Sequence, residues 1–127
     1  MVKISSFLIV TLLCVWTTLA VAAIARNLAP REAMALLSQR AQVFLLDVRT
    51  PAEYREAHLD GARLIPVDQL SGRLAEIPRD RPVLVYCAVG SRSAQAFNLL
   101  ARRGYPEVYN LDGGIYAWAA QGLPIRR

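Results

Sequence analysis

A single cysteine follows a run of apolar residues in the middle of the chain. Residues 83–86 are apolar and partly β-branched, which predicts a buried parallel strand, and Cys87 stands directly after it. Small and polar residues come next, and the apolar side chains of residues 94–103 then recur with helical spacing. A strand, a tight loop and a helix in this order point backbone N–H groups and a positive helix end at one place. Because such donors stabilise a thiolate, the sequence predicts a reactive Cys87 in an anion-binding loop.

The residues after Cys87 are the candidates for binding an anion. Backbone N–H groups of the loop and the Arg92 guanidinium can hold negative charge. The predicted binding residues are Ala88, Val89, Gly90, Ser91, Arg92 and Ser93. The other cysteine, Cys14, lies in an apolar N-terminal segment, so Cys87 has no partner for a disulfide within the domain. With His58 as the only histidine, the sequence predicts no metal site and no cofactor.

Length and charge restrict the classes of function. The chain has 127 residues, enough for one domain and a short extra segment, and its formal net charge is +5. Beyond Lys3, every basic residue is an arginine, and the arginines are scattered rather than clustered. Proteins that bind nucleic acid normally concentrate basic residues on one surface, so we expect no nucleic-acid partner. The excess of positive charge indicates a mild preference for anions.

The N-terminus predicts export. A short basic start, residues 1–3, precedes an uncharged apolar run from residue 4 to residue 25. Small residues at alternate positions favour a secretory signal peptide over residues 1–22, cut after Ala22 or alternatively after Ala25, with one domain over 23–127. Residues 4–25 are also long enough to cross a bilayer as an uncleaved membrane anchor. The expected location is therefore periplasmic or secreted, or else membrane-anchored.

A second apolar run, residues 43–48, predicts another buried strand, and charged residues stand at its end. Asp47 and Arg49 would lie at the carboxyl edge of a parallel sheet, where open α/β sheets bind ligands. Thr50 then caps a short helix, with Glu53 three residues later completing a capping box. We therefore interpret Glu53 as structural rather than catalytic.

The remaining elements continue the alternation of strands and helices. His58 stands beside a turn, where we expect it to hold backbone rather than act as a base. The pattern predicts helices over 31–39, 67–76, 93–103 and 115–120, a short strand stopped by Pro66, and a strand over 107–111. Alternation from end to end predicts an α/β fold, with a central parallel sheet covered by helices on both faces.

The sequence places no base beside Cys87, and this limits the reactions in which the thiol can act as the nucleophile. A cysteine protease or acyl transferase needs a base within hydrogen-bond reach, which here requires His58 to fold back. Sulfur transfer requires less, because a thiolate attacks the sulfane sulfur of a donor such as thiosulfate and sulfite leaves as a stable anion. The loop must lower the thiol pKa, bind the donor and hold a persulfide.

Four blocks of the chain, in this order, resemble the single-domain rhodanese family of thiosulfate sulfurtransferase-like proteins. Ala57 departs from the family, which usually has glycine before the histidine. The matching blocks are residues 45–54, residues 58–62 with 65–66, residues 85–93, and residues 111–118 with 122–124.

The resemblance implies a rhodanese-like fold and a Cys87 persulfide formed in a two-step sulfur transfer. It also implies that Asp47 helps to hold the loop and that Arg49 and Arg92 lie near its mouth. For Asp47 and Arg49, a buried ion pair that fixes the strand ends is at least as good an interpretation as contact with the substrate, which the resemblance would give Arg49. The implied partners are a small anionic sulfur donor and a thiol, cyanide or protein acceptor.

Two other classes of function stay open. Rhodanese-like phosphatases and arsenate reductases have five residues between cysteine and arginine, whereas four separate Cys87 from Arg92. The shorter loop favours a sulfur atom over a tetrahedral oxyanion. A non-catalytic rhodanese module that only binds a partner would most simply have lost its cysteine, and Cys87 is present.

Overall fold

The predicted alternation is present in the computed structural model of the chain, which describes residue 17 and residues 19–127. Five strands and four α-helices follow one another, with two short 3₁₀ helices between β3 and β4. The elements are β1 Ile24–Leu28, α1 Pro30–Gln39, β2 Phe44–Asp47, α2 Pro51–Glu56, β3 Arg63–Leu64, 3₁₀ helices Val67–Gly72 and Leu74–Glu76, β4 Val83–Tyr86, α3 Ser91–Arg102, β5 Glu107–Leu111 and α4 Gly114–Ala120.

The five strands form one sheet in the order β1-β5-β4-β2-β3, and all neighbours are parallel. β4 is the central strand, and all four of its residues are buried. The carboxyl end of the central strand, which Cys87 follows, is therefore surrounded by the ends of β2 and β5. This placement brings residues distant in sequence to the loop after β4.

Alternating side chains of the strands build two cores, one on each face of the sheet. On one face, Val83 and Val85 of β4 pack with Ala96 and Leu100 of α3. On the other face, Leu84 and Tyr86 belong to a cluster that also holds residues of α1 and α4, among them Ala33, Ile115 and Trp118. The predicted parallel α/β sheet with helices on both faces is confirmed.

The residues at the start of α2 and α3 determine where these helices begin. Thr50 caps α2: its hydroxyl accepts from the Glu53 N–H at 3.3 Å, and its own N–H donates to the Glu53 carboxylate at 3.2 Å. This is the predicted capping box. α3 begins at Ser91, two residues before its predicted start. The helix therefore begins closer to Cys87 than the sequence indicated.

The prediction of a single helix over 67–76 is wrong, because this segment forms two 3₁₀ helices. Arg73 separates them with non-helical backbone angles, φ −126° and ψ 19°, directly after Gly72, whose helix propensity is low. Leu70 is fully buried, so the apolar anchoring of the segment is retained.

A strand that the sequence did not predict is β1, which pairs with β5 from Ile24↔Glu107 to Leu28↔Leu111. It lies at the edge of the sheet, and four of its five residues are exposed, so it lacks the apolar pattern of a buried strand. The predicted signal peptide lies mostly outside the described residues and stays a prediction. Within the described part, no helix has the length and apolar character needed to cross a membrane.

Candidate active site

Cys87 is fully buried at the base of a loop that joins the end of β4 to α3. Gly90 precedes the first residue of α3 with φ +115°, a left-handed backbone angle that L side chains rarely adopt. The turn at Gly90 brings its own N–H to 3.1 Å from the Cys87 Sγ. The chain thus bends sharply enough for the loop to donate hydrogen bonds to its own cysteine.

Ser93, also fully buried, is the second group on the sulfur. Its Oγ lies 3.3 Å from the Cys87 Sγ and 3.2 Å from the Gly90 carbonyl oxygen. With a protonated thiol, the S–H donates to Oγ and the Ser93 hydroxyl donates to the carbonyl. With a thiolate, the same hydroxyl can turn its proton to the sulfur. Ser93 therefore provides a donor that responds to the charge on Cys87.

The donors around the sulfur shift its acidity. Burial is the largest single influence and raises the pKa of the Cys87 thiol, but the Ser93 hydroxyl and the backbone N–H groups of Ser93, Gly90 and Val89 together outweigh it. The net result is a pKa of Cys87 below its ordinary value. The predicted activation of the thiol thus has a local cause, the N–H groups of the loop and one hydroxyl.

The first turn of α4 holds the Cys87 loop through two backbone hydrogen bonds. The N–H of Ile115 donates to the Cys87 carbonyl at 2.9 Å, and that of Tyr116 donates to the Ala88 carbonyl at 3.1 Å. The helix approaches so closely that a Cβ on Gly114, whose φ is +62°, would lie 2.4 Å from the Ala88 carbonyl oxygen. Gly113 and Gly114 stand next to each other in the sequence. Their adjacency was the signal that could have indicated this close backbone approach.

Arg92 lies near the sulfur but is bound to Glu53. The two guanidinium NH groups donate to the two carboxylate oxygens at 2.7 and 2.9 Å. The pKa of Arg92 is raised chiefly by this hydrogen bond and, to a smaller extent, by the charge of Cys87. The pKa of Glu53 is lowered to about 2, mainly by Arg92. Glu53 has the predicted capping role and in addition a role that the sequence did not indicate.

Asp47 and Arg49 form a second ion pair, which is buried. The Asp47 carboxylate accepts from the Arg49 backbone N–H at 2.9 Å, from its Nε at 3.0 Å and from its guanidinium NH2 at 2.6 Å. Arg49 also donates to the Ala57 carbonyl and lies over the Tyr86 ring, 5.4 Å from its centroid. This is the structural alternative predicted for the pair. In the described part of the chain, the hydrogen bonds of the Asp47 carboxylate go to Arg49 and not to the loop.

The His58 ring contacts Tyr54 and not Cys87. Its Nδ1 lies 2.8 Å from the Tyr54 carbonyl oxygen, and its ring stacks on the Tyr54 ring at 3.9 Å between centroids. The expectation that His58 holds backbone beside a turn is confirmed. The described residues contain no group of three His, Cys, Asp or Glu side chains that could hold a metal ion.

Two large side chains, one in the loop and one on α4, are exposed: Val89 is 61% exposed and Tyr116 is 67% exposed. A cavity of about 240 Å³ is lined by Tyr116 and Ile115 and by four charged side chains, Arg49, Glu53, Glu56 and Arg127. Ile115 and Tyr116 also bind the carbonyls of the loop, so this cavity lies beside the Cys87 segment.

Comparison with known proteins gives consistent matches. The model of the rhodanese-like domain matches residues 29–121. A sulfurtransferase of Allochromatium vinosum is 46% identical over 89 residues, covering 70% of this chain and 83% of that protein. The thiosulfate sulfurtransferase GlpE of Vibrio cholerae is 36% identical over 93 residues, covering 73% and 87%. The chain spans only 26% of a longer relative from Mycobacterium tuberculosis, a probable adenylyltransferase/sulfurtransferase that is 41% identical over 100 residues.

Solved structures agree with the fold. A rhodanese-related protein of Thermoplasma volcanium superposes with a TM-score of 0.73 at 28% identity, covering 80% of this chain and 97% of that one.

Proposed function

Since the chain belongs to the rhodanese-like domain family, we propose that it transfers a sulfane sulfur from an anionic donor such as thiosulfate to a thiophilic acceptor through a Cys87 persulfide. One observation carries the proposal. The Cys87 sulfur accepts a hydrogen bond from the Gly90 N–H and lies 3.3 Å from the Ser93 hydroxyl oxygen, within a loop that lowers the pKa of the thiol. Such a loop makes a nucleophilic thiolate without a neighbouring base.

In the first step, the Cys87 thiolate attacks the outer sulfur of thiosulfate. The new bond joins the two sulfurs, the S–S bond of the donor breaks, and its electron pair leaves with sulfite. Charge is conserved, since a thiolate and a dianion become a persulfide anion and a dianion. No proton has to move, which fits a site whose only histidine is bound to the Tyr54 carbonyl.

In the second step, the acceptor attacks the outer sulfur of the persulfide and restores the Cys87 thiolate. With cyanide the product is thiocyanate, and with a thiol it is a persulfide of that thiol. Between the steps, the backbone N–H groups of residues 88–93 and the Ser93 hydroxyl would hold the anionic persulfide. The hydrogen bonds of the Val89, Gly90 and Ser93 N–H groups to the sulfur and the contact of the Ser93 hydroxyl with it support this role.

Intact-protein mass spectrometry before and after incubation with thiosulfate tests the proposal. We expect the gain of one sulfur, which is lost on adding cyanide and absent in Cys87→Ser. A wild-type protein that gains no sulfur from thiosulfate, polysulfide or an organic persulfide would overturn it. Sulfur retained by the Cys87→Ser variant would instead overturn the assignment of the nucleophile.

We propose in addition that the N-terminal segment directs export, with cleavage after Ala22. The uncharged run over residues 4–25 supports this, and so does the position of β1, since a cut after Ala22 leaves β1 whole while one after Ala25 would remove Ile24 and Ala25. The mass of the protein recovered from cells tests it. A chain starting at Ala23 is expected, and a mass that includes Met1 or Val2 would show a retained membrane anchor.

A further inference from the structure

Arginines that are scattered in the sequence meet at one edge of the sheet. Because all the strands are parallel, the segments that lead into β2, β4 and β5 lie together at the edge opposite to Cys87. Residues 40–43, 77–82 and 102–107 form this amino edge. They hold five arginines and two carboxylates, whereas the rest of the chain from residue 23 onwards holds nine arginines and eight carboxylates. Most of the excess positive charge of the domain therefore lies at the amino edge.

Three arginines of the amino edge are exposed and available for a partner. The Arg79 guanidinium donates to the Arg103 carbonyl at 2.8 Å, which joins the segments before β4 and β5. Within the described residues, no carboxylate lies at ion-pair distance from Arg79, Arg102 or Arg103. The two carboxylates of this edge take the other two arginines, in the pairs Arg40–Glu107 and Arg81–Asp80.

The apolar N-terminal run joins the domain at the same edge. Ile24 begins β1, and its N–H donates to the Pro106 carbonyl at 2.9 Å. The uncharged run over residues 4–25 therefore ends beside the arginines, and the Ile24 side chain is exposed there. A cavity of about 300 Å³ is lined by Ile24 together with Arg40, Arg79 and Arg81. A basic surface next to an apolar segment is the arrangement that anionic lipids attract.

We propose that the amino edge binds the anionic surface of a phospholipid bilayer and holds the Cys87 loop on the side that faces away from the lipid. Arg79, Arg102 and Arg103 contact the lipid phosphates. A nucleic acid offers similar charge, but the apolar run brings this edge to a bilayer, which favours the membrane. The arginines remain after a cut behind Ala22, so the proposal requires neither a retained anchor nor sulfur transfer.

The orientation follows from the direction of β4. This strand, Val83–Tyr86, begins next to Arg81 at the amino edge and ends next to Cys87. Four residues of extended chain span roughly 13 Å. A domain that binds lipid through the amino edge therefore keeps Cys87 more than one strand length from the headgroups, where dissolved reactants reach it.

Vesicle binding by the chain from Ala23 to Arg127 tests the proposal. This chain keeps all five strands and both cores, and it lacks most of the apolar run, which could insert by itself. The probes are vesicles of phosphatidylcholine alone and of phosphatidylcholine with phosphatidylglycerol at about two to one. We expect the chain to sediment with the mixed vesicles only, and to be released at about 1 M salt, where the Debye length is about 3 Å. No binding to the mixed vesicles, or equal binding to both, would overturn the proposal.

Arg102→Gln/Arg103→Gln identifies the surface. Each arginine near an anionic bilayer contributes about fivefold in affinity, so the double variant should bind the mixed vesicles about 25-fold more weakly. Arg31→Gln/Arg55→Gln is the matched control. These two arginines are also exposed and have no carboxylate partner among the described residues, but α1 and α2 place them after the carboxyl ends of β1 and β2. We expect the control to keep the wild-type affinity, and an equal loss in both variants would overturn the assignment of the amino edge.

Alkylation of Cys87 by iodoacetamide tests the orientation, since Cys87 is the only cysteine of the chain from Ala23. The rate should be the same with the chain bound to mixed vesicles as in solution. Alkylation that is slowed by bound vesicles would show the loop facing the lipid and would overturn the orientation. A short DNA duplex that binds more tightly than the mixed vesicles, with the same loss in Arg102→Gln/Arg103→Gln, would overturn the membrane in favour of a nucleic acid.

Discussion

Replacing Gly114 with alanine tests how α4 holds the Cys87 loop. A Cβ at this position would lie 2.4 Å from the Ala88 carbonyl oxygen and 2.5 Å from the Cys87 carbonyl oxygen, so helix and loop must move apart. The positive φ costs a residue with a side chain about 1–2 kcal/mol. Each of the two hydrogen bonds from Ile115 and Tyr116 that the movement breaks contributes about 0.5–1.5 kcal/mol.

The sum predicts that Gly114→Ala lowers the free energy of unfolding by about 2–5 kcal/mol. Chemical denaturation measures this loss, and the melting temperature should fall by about 4–8 °C per kcal/mol for a domain of about 100 residues. The freed loop should also lose the alignment of its N–H groups with the sulfur. The pKa of Cys87 should therefore rise, which the pH dependence of alkylation by iodoacetamide reports.

Gly122→Ala separates backbone strain from the contact. Gly122 follows α4 with φ +73°, but a Cβ there would meet nothing within 4 Å. It should cost only the strain of about 1–2 kcal/mol and leave the alkylation profile unchanged. If Gly114→Ala unfolds at the same denaturant concentration as Gly122→Ala and keeps the wild-type profile, the account of α4 as the support of the loop is refuted.

Three further variants test the ion pairs and the thiol. Asp47→Ala leaves Arg49 buried without its counter-charge and should cost about 3–5 kcal/mol in denaturation; a loss below 1 kcal/mol would contradict a structural role for the pair. Ser93→Ala removes a donor to the thiolate, so the alkylation midpoint of Cys87 should move to higher pH, and an unmoved midpoint would exclude the hydroxyl as a cause. The pKa of Glu53 is lowered to about 2, so the stability from its ion pair is present above its unfolded value near 4.3 and is lost as pH falls through 2. Acid denaturation of Glu53→Gln should accordingly show a smaller loss of stability in this window than the wild type.

The parts of the site that the sequence predicted are local in the chain. The strand, the loop with Cys87 and Gly90, and the helix after it are contiguous, and apolar runs and glycine positions indicate such units directly. Asp47 and Arg49 were placed correctly at the end of β2 because parallel strands align their carboxyl ends.

The parts that the sequence did not predict join distant segments. The hydrogen bonds between Glu53 and Arg92 link α2 to α3, and those from Ile115 and Tyr116 link α4 to the Cys87 loop. No local pattern encodes such pairings. The capping motif explained Glu53 fully by itself, which concealed its second partner.

The hydrogen bonds from α4 to the Cys87 loop also bear on the stage of folding at which the thiol becomes reactive. Chains are synthesised from the N-terminus, so Cys87 is made well before the helix that fixes its two neighbouring carbonyls. Pairing of β1 with β5 likewise joins the two ends of the domain, a contact of long sequence separation that forms slowly. In an unfinished chain the carbonyls of Cys87 and Ala88 lack their α4 donors, so we expect the loop to be held less firmly and the pKa of Cys87 to lie nearer its ordinary value. A thiol of more ordinary acidity is less readily oxidised, which would protect Cys87 until α4 packs against the loop.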